Sequence, residues 1–284
     1  MSIKEKITEF KDKIDMSLII NRIVKTANKY QELHNEWCHT KVTGWDFAPR
    51  DRIAIAQNAL LRDFVNWIME MDSELIDNIV ECMEKQQRNG EMKYAYDFFI
   101  DMKENANYKK AFKAELINSV ASELHEDWRK TRLNKDGSYE PRWKAIKDQN
   151  FIKRLNPNQL SSNYRMISNG FEIDIANSTY DQLSPDWQYE NLEAAKVASD
   201  LVLQKKWDDE DFTQEQIGDK IHNEWLKRNT YAKGTALDVP FTELPEEEKV
   251  KDLSQYKLAN TIANKMIMAE KEKSKQQSDD GVTM

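Results

Sequence analysis

Glycine and proline are the scarcest structural residues here. The 284 residues include seven glycines and six prolines. That is too few for a turn-rich sandwich or barrel, and too few for a P-loop or Rossmann glycine loop. Cysteine is equally thin. Cys38 and Cys82 build no disulfide framework, so a reduced, intracellular setting is expected. No apolar run approaches the roughly 18 residues that span a bilayer. The first residues form a charged amphipathic stretch without the apolar centre of a secretory leader, so neither insertion nor secretion is expected. Histidine occurs four times, with no HExxH, no clustered CxxC and no Ser-His-Asp set. His34, Cys38 and His39 offer spaced ligands but fall short of the roughly four a zinc site needs. Without a reactive constellation, the expectation is a non-enzymatic protein, with no metal and no cofactor.

What is present is charge and aromatic surface. Asp, Glu, Lys and Arg make up 32% of the chain, the formal net charge is -8 and the mean hydropathy is -0.82. Eight Trp, ten Tyr and ten Phe still supply enough apolar area for small cores. Abundant Glu, Lys, Ala and Leu favour helices. Folded helical modules with charged outer faces follow. The acidic field repels nucleic acid and anionic membranes at long range without forbidding a local basic site.

Along the chain, residues 3–37 carry apolar residues at helical spacing (Ile7, Phe10, Ile14, Leu18, Ile19, Ile23). Thr43–Pro49 is a break. Helices are predicted over 51–70, 73–87, 91–103 and 107–132, with Asp72-Ser73 at the cap of the second. Asn134–Gly137 and Asn156–Asn158 are turns. Phe171–Ile175 alternates apolar and acidic residues, as a short strand does. Helices return over 190–207, from the cap Thr213–Gln216 onward, and over 246–272.

Three of the four histidines sit in one frame, His-x-x-Trp: His34/Trp37, His125/Trp128 and His222/Trp225. The last two copies match further. Val239-Pro240-Phe241-x-x-Leu244-Pro245 follows His222, and Thr179-Tyr180-x-x-Leu183-Ser184-Pro185 follows His125. The histidine-to-aromatic gap is 19 residues in the last copy and 55 in the middle one, so the middle copy holds 36 extra residues. Most of a basic stretch lies in them. Between 129 and 165 ten Lys/Arg stand against three acids, interleaved with Tyr139, Trp143, Phe151 and Tyr164.

This pattern resembles the RyR repeat domain, the module named for ryanodine receptors and found alone or in tandem in bacterial and phage proteins. His222, Trp225, Pro240, Phe241, Leu244, Pro245 and Lys249 carry the likeness in the last copy. His125, Trp128, Tyr180 and Leu183 carry it in the middle one, and His34, Trp37, Gly44 and Trp45 match the first half only. The resemblance implies a mainly α fold: a helical N-terminal region (1–106), a RyR-like repeat with a basic insert at 133–170 (107–208) and a compact RyR-like repeat (209–272), with short extended segments; the polar composition of 273–284 points to a disordered tail. It also implies ligand binding of nucleotide type, in a cytoplasmic protein (host cytoplasm if phage-encoded), and attaches no catalysis to the fold.

Two readings of His-x-x-Trp stand. An i, i+3 pair puts both rings on one helix face, where imidazole and indole can hold a ligand. Alternatively, the tryptophan anchors a core and the histidine bonds the Pro-aromatic segment; a residue repeated in every module more often builds the module. Candidate ligand residues are His125, Trp128, Tyr139, Trp143, Tyr180, His222, Trp225, Tyr231 and Phe241. Arg142, Lys144, Lys147, Lys153 and Arg154 are candidate phosphate or nucleic-acid contacts, unless they pair with the chain's own acidic helices at 186–211. The expected partner is a nucleotide-like small molecule or a protein surface, with self-association as a further expectation. A structural role in a viral or cellular assembly, and nucleic-acid association through 129–165, are the alternatives.

Overall fold

A computed structural model describes residues 16–43, 47–86, 90–156 and 160–280. The chain is mainly α-helical and divides into two compact units, Met1–Ala111 and Phe112–Met284. Among the described residues no helix is long and apolar enough to cross a membrane.

In the first unit, α1 (Met16–Thr43), α2 (Phe47–Met69), α3 (Ser73–Glu84) and the first half of α4 (Gly90–Lys130) surround one apolar core. Ile20, Ile23 and Ala27 on α1 meet Phe64, Val65 and Ile68 on α2, Ile76, Ile79 and Met83 on α3, and Ala95, Phe98 and Phe99 on α4. Each set follows the three- and four-residue spacing that gives a helix one apolar face. Leu18, counted with that stripe in the sequence, is 67% exposed. Ile7, Phe10 and Ile14 lie outside the described residues, as do Gly44 and Trp45. Asp72 caps α3, its Oδ1 accepting from the Leu75 amide at 2.8 Å.

One difference from the sequence reading is helix continuity. The two helices predicted over 91–103 and 107–132 are the single α4. Ala106, in the gap between the two predicted helices, is fully buried. From Phe112 onward α4 belongs to the second unit, presenting Phe112, Leu116 and Val120 to its core.

The basic insert contains strands that the sequence reading did not place. β1 (Trp143–Ala145), the one-turn helix α5 (Gln149–Ile152), β2 (Tyr164–Ile167) and β3 (Gly170–Asp174) make an antiparallel sheet in the order β1-β3-β2. Trp143 pairs with Asp174 and Tyr164 with Ile173. Only β3 had a legible alternation; β1 and β2 are three and four residues long, too short and charged for a period to show. The predicted turn at 134–137 is present, closed by the Asn134 amide on Ser138 O at 2.8 Å. Residues 157–159 lie outside the described residues.

Beyond the sheet come a 3-10 turn at Tyr180–Gln182, α6 (Pro185–Asp208), α7 (Gln214–Arg228), 3-10 turns at Thr230–Ala232 and Phe241–Glu243, and α8 (Glu246–Asp280). α6 ends where Asp209 takes a left-handed conformation (φ 54°), which Asp tolerates better than most residues. Thr213 and Gln216 cap α7 reciprocally. α8 runs on through 273–280, a stretch read from its composition as disordered tail. Ile173 of β3 packs among Ala195, Ala198 and Val202 of α6 and Ala259 and Ala263 of α8. Alanine at these positions lets helix backbones approach closely.

Candidate functional site

His125 and His222 are each 3% exposed, and each ties its helix to the segment leading into a 3-10 turn. His125 Nε2 lies 2.9 Å from Ser178 O, two residues before Tyr180. His222 Nε2 lies 3.1 Å from both Leu237 O and Val239 O, the latter two residues before Phe241. A carbonyl only accepts, so each Nε2 carries the proton and donates. Burial pushes the His125 pKa below the ordinary imidazole range. Tyr180, Leu183, Phe241 and Leu244 are all buried. Gly218, one turn before His222, has the Phe241 ring directly over it, and a Cβ there would come within 2.3–2.4 Å of three ring carbons. The histidines and their aromatics thus hold each helix–turn–helix together. The four candidate residues His222, Tyr180, Phe241 and, for its Nε2, His125 are committed to packing.

The tryptophans of the same frame do something else. Each indole stacks on its histidine, at 5.7 Å and 23° for Trp128 and at 5.9 Å and 18° for Trp225. Both remain half-buried, and both line one cleft of about 580 Å³ within the second unit. Trp128 also packs against the core. Tyr231, 74% exposed, stands edge-on to Trp225 at 6.1 Å.

The folded insert supplies the cleft's positive wall: Arg142, Lys144 and Lys147 all line it. Strand alternation explains the selection. Arg142 and Lys144 are two residues apart and share a face, while Trp143 between them points the other way and lies under the Arg165 guanidinium at 4.2 Å. Arg142 sits over Trp128 at 5.6 Å and Lys144 over Trp187 at 5.8 Å. None of the three cations forms an ion pair with a described carboxylate, so pairing with the acidic helices does not account for them. The wall is set by Asp174, a carboxylate 3% exposed. Its Oδ1 accepts from the amides of Arg142, Ala176 and Asn177 at 2.8, 3.2 and 3.3 Å. Its Oδ2 accepts from Asn177 Nδ2 at 2.7 Å.

Four candidates lie elsewhere. Tyr139 carries the Arg129 guanidinium 4.7 Å above its ring, Trp143 is on the far face of β1, and Lys153 and Arg154 are exposed beyond α5, with Arg154 over Phe151. The sequence reading missed the α6 wall: Asp186, Trp187, Glu190 and Asn191. They fall at i, i+1, i+4 and i+5, one stripe of a helix, and that spacing was available as a signal. Asp186 fastens the insert to α6, its Oδ2 accepting from the Lys147 amide at 2.9 Å, while its buried Oδ1 has no donor. Trp187 Nε1 donates to Ala145 O at 3.1 Å.

His34 and Trp37 in the first unit also stack, at 6.3 Å. His34 is exposed, and Nε2 lies 3.6 Å from Cys38 Sγ rather than on a carbonyl. Among the described residues no group of three or more His, Cys, Asp or Glu is placed to hold a metal ion. Comparisons with protein-family models, with curated proteins and with solved structures return no match.

Proposed function

We propose that the second unit is a non-enzymatic binding module, formed by two RyR-type repeats, whose cleft takes a nucleotide-type small molecule. One observation carries this reading: Trp128 and Trp225 share a cleft with Arg142, Lys144 and Lys147, three cations that form no ion pair with a described carboxylate. Indole faces stack on bases whatever their identity, and a base–aromatic stack is worth roughly 1–3 kcal/mol. Unpaired cations beside them complement phosphate. The cleft lies within the range of about 300–1,000 Å³ typical of small-molecule sites. Binding rather than catalysis is the better fit, because His125, the imidazole lining the cleft, spends its Nε2 proton on Ser178 O.

The repeat assignment rests on the shared order of His-x-x-Trp helix, 3-10 turn and following helix, and on the same histidine-to-carbonyl bond in both halves. Isothermal titration of the full chain with adenine and guanine nucleotides tests the function. Binding that is lost in an Arg142→Ala/Lys144→Ala double variant of unchanged helicity supports it. Heats no larger than dilution across the whole set reject it.

A further inference from the structure

The cleft holds not one repeated tryptophan but two. Trp128 and Trp225 occupy the same place in their frames, three residues after a buried histidine and stacked on it in the same way. Their helices, α4 and α7, lie far apart in the chain, yet both indoles line one cavity. Each also has its own surroundings. The Arg142 guanidinium lies over Trp128, whereas Tyr231 stands edge-on to Trp225. Lys144 and Lys147, from the inserted sheet, contribute positive charge to the same cavity. A mononucleotide has one base and leaves one indole unused. A molecule with two rings and phosphate between them uses both.

From this pairing of indoles around shared cations we infer that the ligand is a dinucleotide, one ring on Trp128 and the other on Trp225. The inference rests on the nucleotide reading above and narrows it. The chemistry common to all such ligands is two aromatic rings linked through one or two phosphates, and three sources share it: a linear diadenylate, a cyclic diadenylate and a pyrophosphate-linked dinucleotide such as NAD. Both rings are carried by one molecule, so the second stack is an intramolecular event once the first ring is seated. The cleft volume of about 580 Å³ leaves room beyond a single base.

Titration calorimetry with these three compounds, their guanine counterparts where they exist, and AMP and GMP separates the outcomes. The expected result is one dinucleotide per chain, bound at least about tenfold more tightly than the matching mononucleotide. Trp128→Leu and Trp225→Leu keep apolar bulk and remove the ring face. Each is expected to weaken the dinucleotide about tenfold, and far-UV melting of both variants checks that the fold survives. If Trp128→Leu melts early, Trp225→Leu, whose ring belongs to no core cluster, carries the test with Tyr231→Leu. Equal affinity for mono- and dinucleotides, or a dinucleotide affinity unmoved by Trp225→Leu, overturns the inference and leaves the nucleotide reading standing. No binding by any of these compounds overturns both. The compound that binds best identifies the linkage.

Discussion

The two histidine clasps of the second unit do the same job in different electrostatic settings. His125 Nε2 donates to Ser178 O. Counting forward from the aromatic of each 3-10 turn, the residue of α6 that matches Asp252 of α8 is Asn191. His222 donates to two carbonyls, and its Nδ1 lies 3.3 Å from Asp252 Oδ2. Burial pushes the Asp252 carboxyl up to about 6. The helix faces differ too: Gly218 lies under Phe241, whereas a buried Ala121 stands at the matching position four residues before His125. The clasp tolerates changes around it because its essential bond runs to backbone oxygen, which every residue supplies. Side-chain differences then decide which module depends on pH, which accepts a methyl group and which borders the cations.

The largest effect is expected where the first clasp depends on one side chain. Asp174→Ala strands the amides of Arg142, Ala176 and Asn177, and at about 1–3 kcal/mol for each buried unmade bond the loss should reach several kcal/mol. Denaturation followed by hydrogen exchange at 142–178 checks it, and the second clasp should stay protected. Next, His125→Ala and His222→Ala each remove a buried ring and its bond, at about 2–4 kcal/mol. Exchange should rise around 176–183 in one and 237–244 in the other; a uniform rise in either variant would contradict two separate clasps. Gly218→Ala should cost about 1–3 kcal/mol through overpacking against Phe241, read as an earlier melt.

Asp252→Asn brings the second clasp toward the first. A carboxyl raised in the folded state stabilises fully below its unfolded value near 3.8, and that contribution is lost as pH rises through about 6. The parent should therefore lose about 1–3 kcal/mol between pH 4 and 7 from this group, and the variant should lack that slope in pH-dependent melting. The smallest effect belongs to the first unit: His34→Ala, exposed and without a carbonyl partner, should change stability by less than about 0.5 kcal/mol. An effect as large as that of His125→Ala would mean that this third frame also holds a clasp.

Helices were the readable part of the sequence, because apolar residues at three- and four-residue spacing announce one buried face; α2, α3, α6 and α7 follow from Phe64/Ile68, Ile76/Ile79, Ala195/Ala198 and Ile217/Ile221. The caps at Asp72 and Thr213 were readable from residue type alone. β1 and β2 were not, since strands of three and four residues are too short to show a period. The cleft was half visible. Trp128, Trp225, Arg142, Lys144 and Lys147 stood out by repetition and charge. Asp186, Trp187, Glu190 and Asn191 are ordinary helix residues until the sheet is placed against them. Trp143 and Tyr139 lie away from the cleft, because membership in the basic stretch says nothing of which way a ring points.

The first clasp joins residues 53 apart, the second residues 15 and 17 apart. Closing a loop costs entropy that grows only with the logarithm of its length, about 0.6 kcal/mol per doubling. Lengthening the first loop to hold a whole sheet therefore adds only about 1 kcal/mol to its closure, less than one buried hydrogen bond to a charged group contributes. The segment between a clasp histidine and its carbonyl is thus the cheapest place in this fold to add new surface, and in the first module that surface is the cationic wall of the cleft.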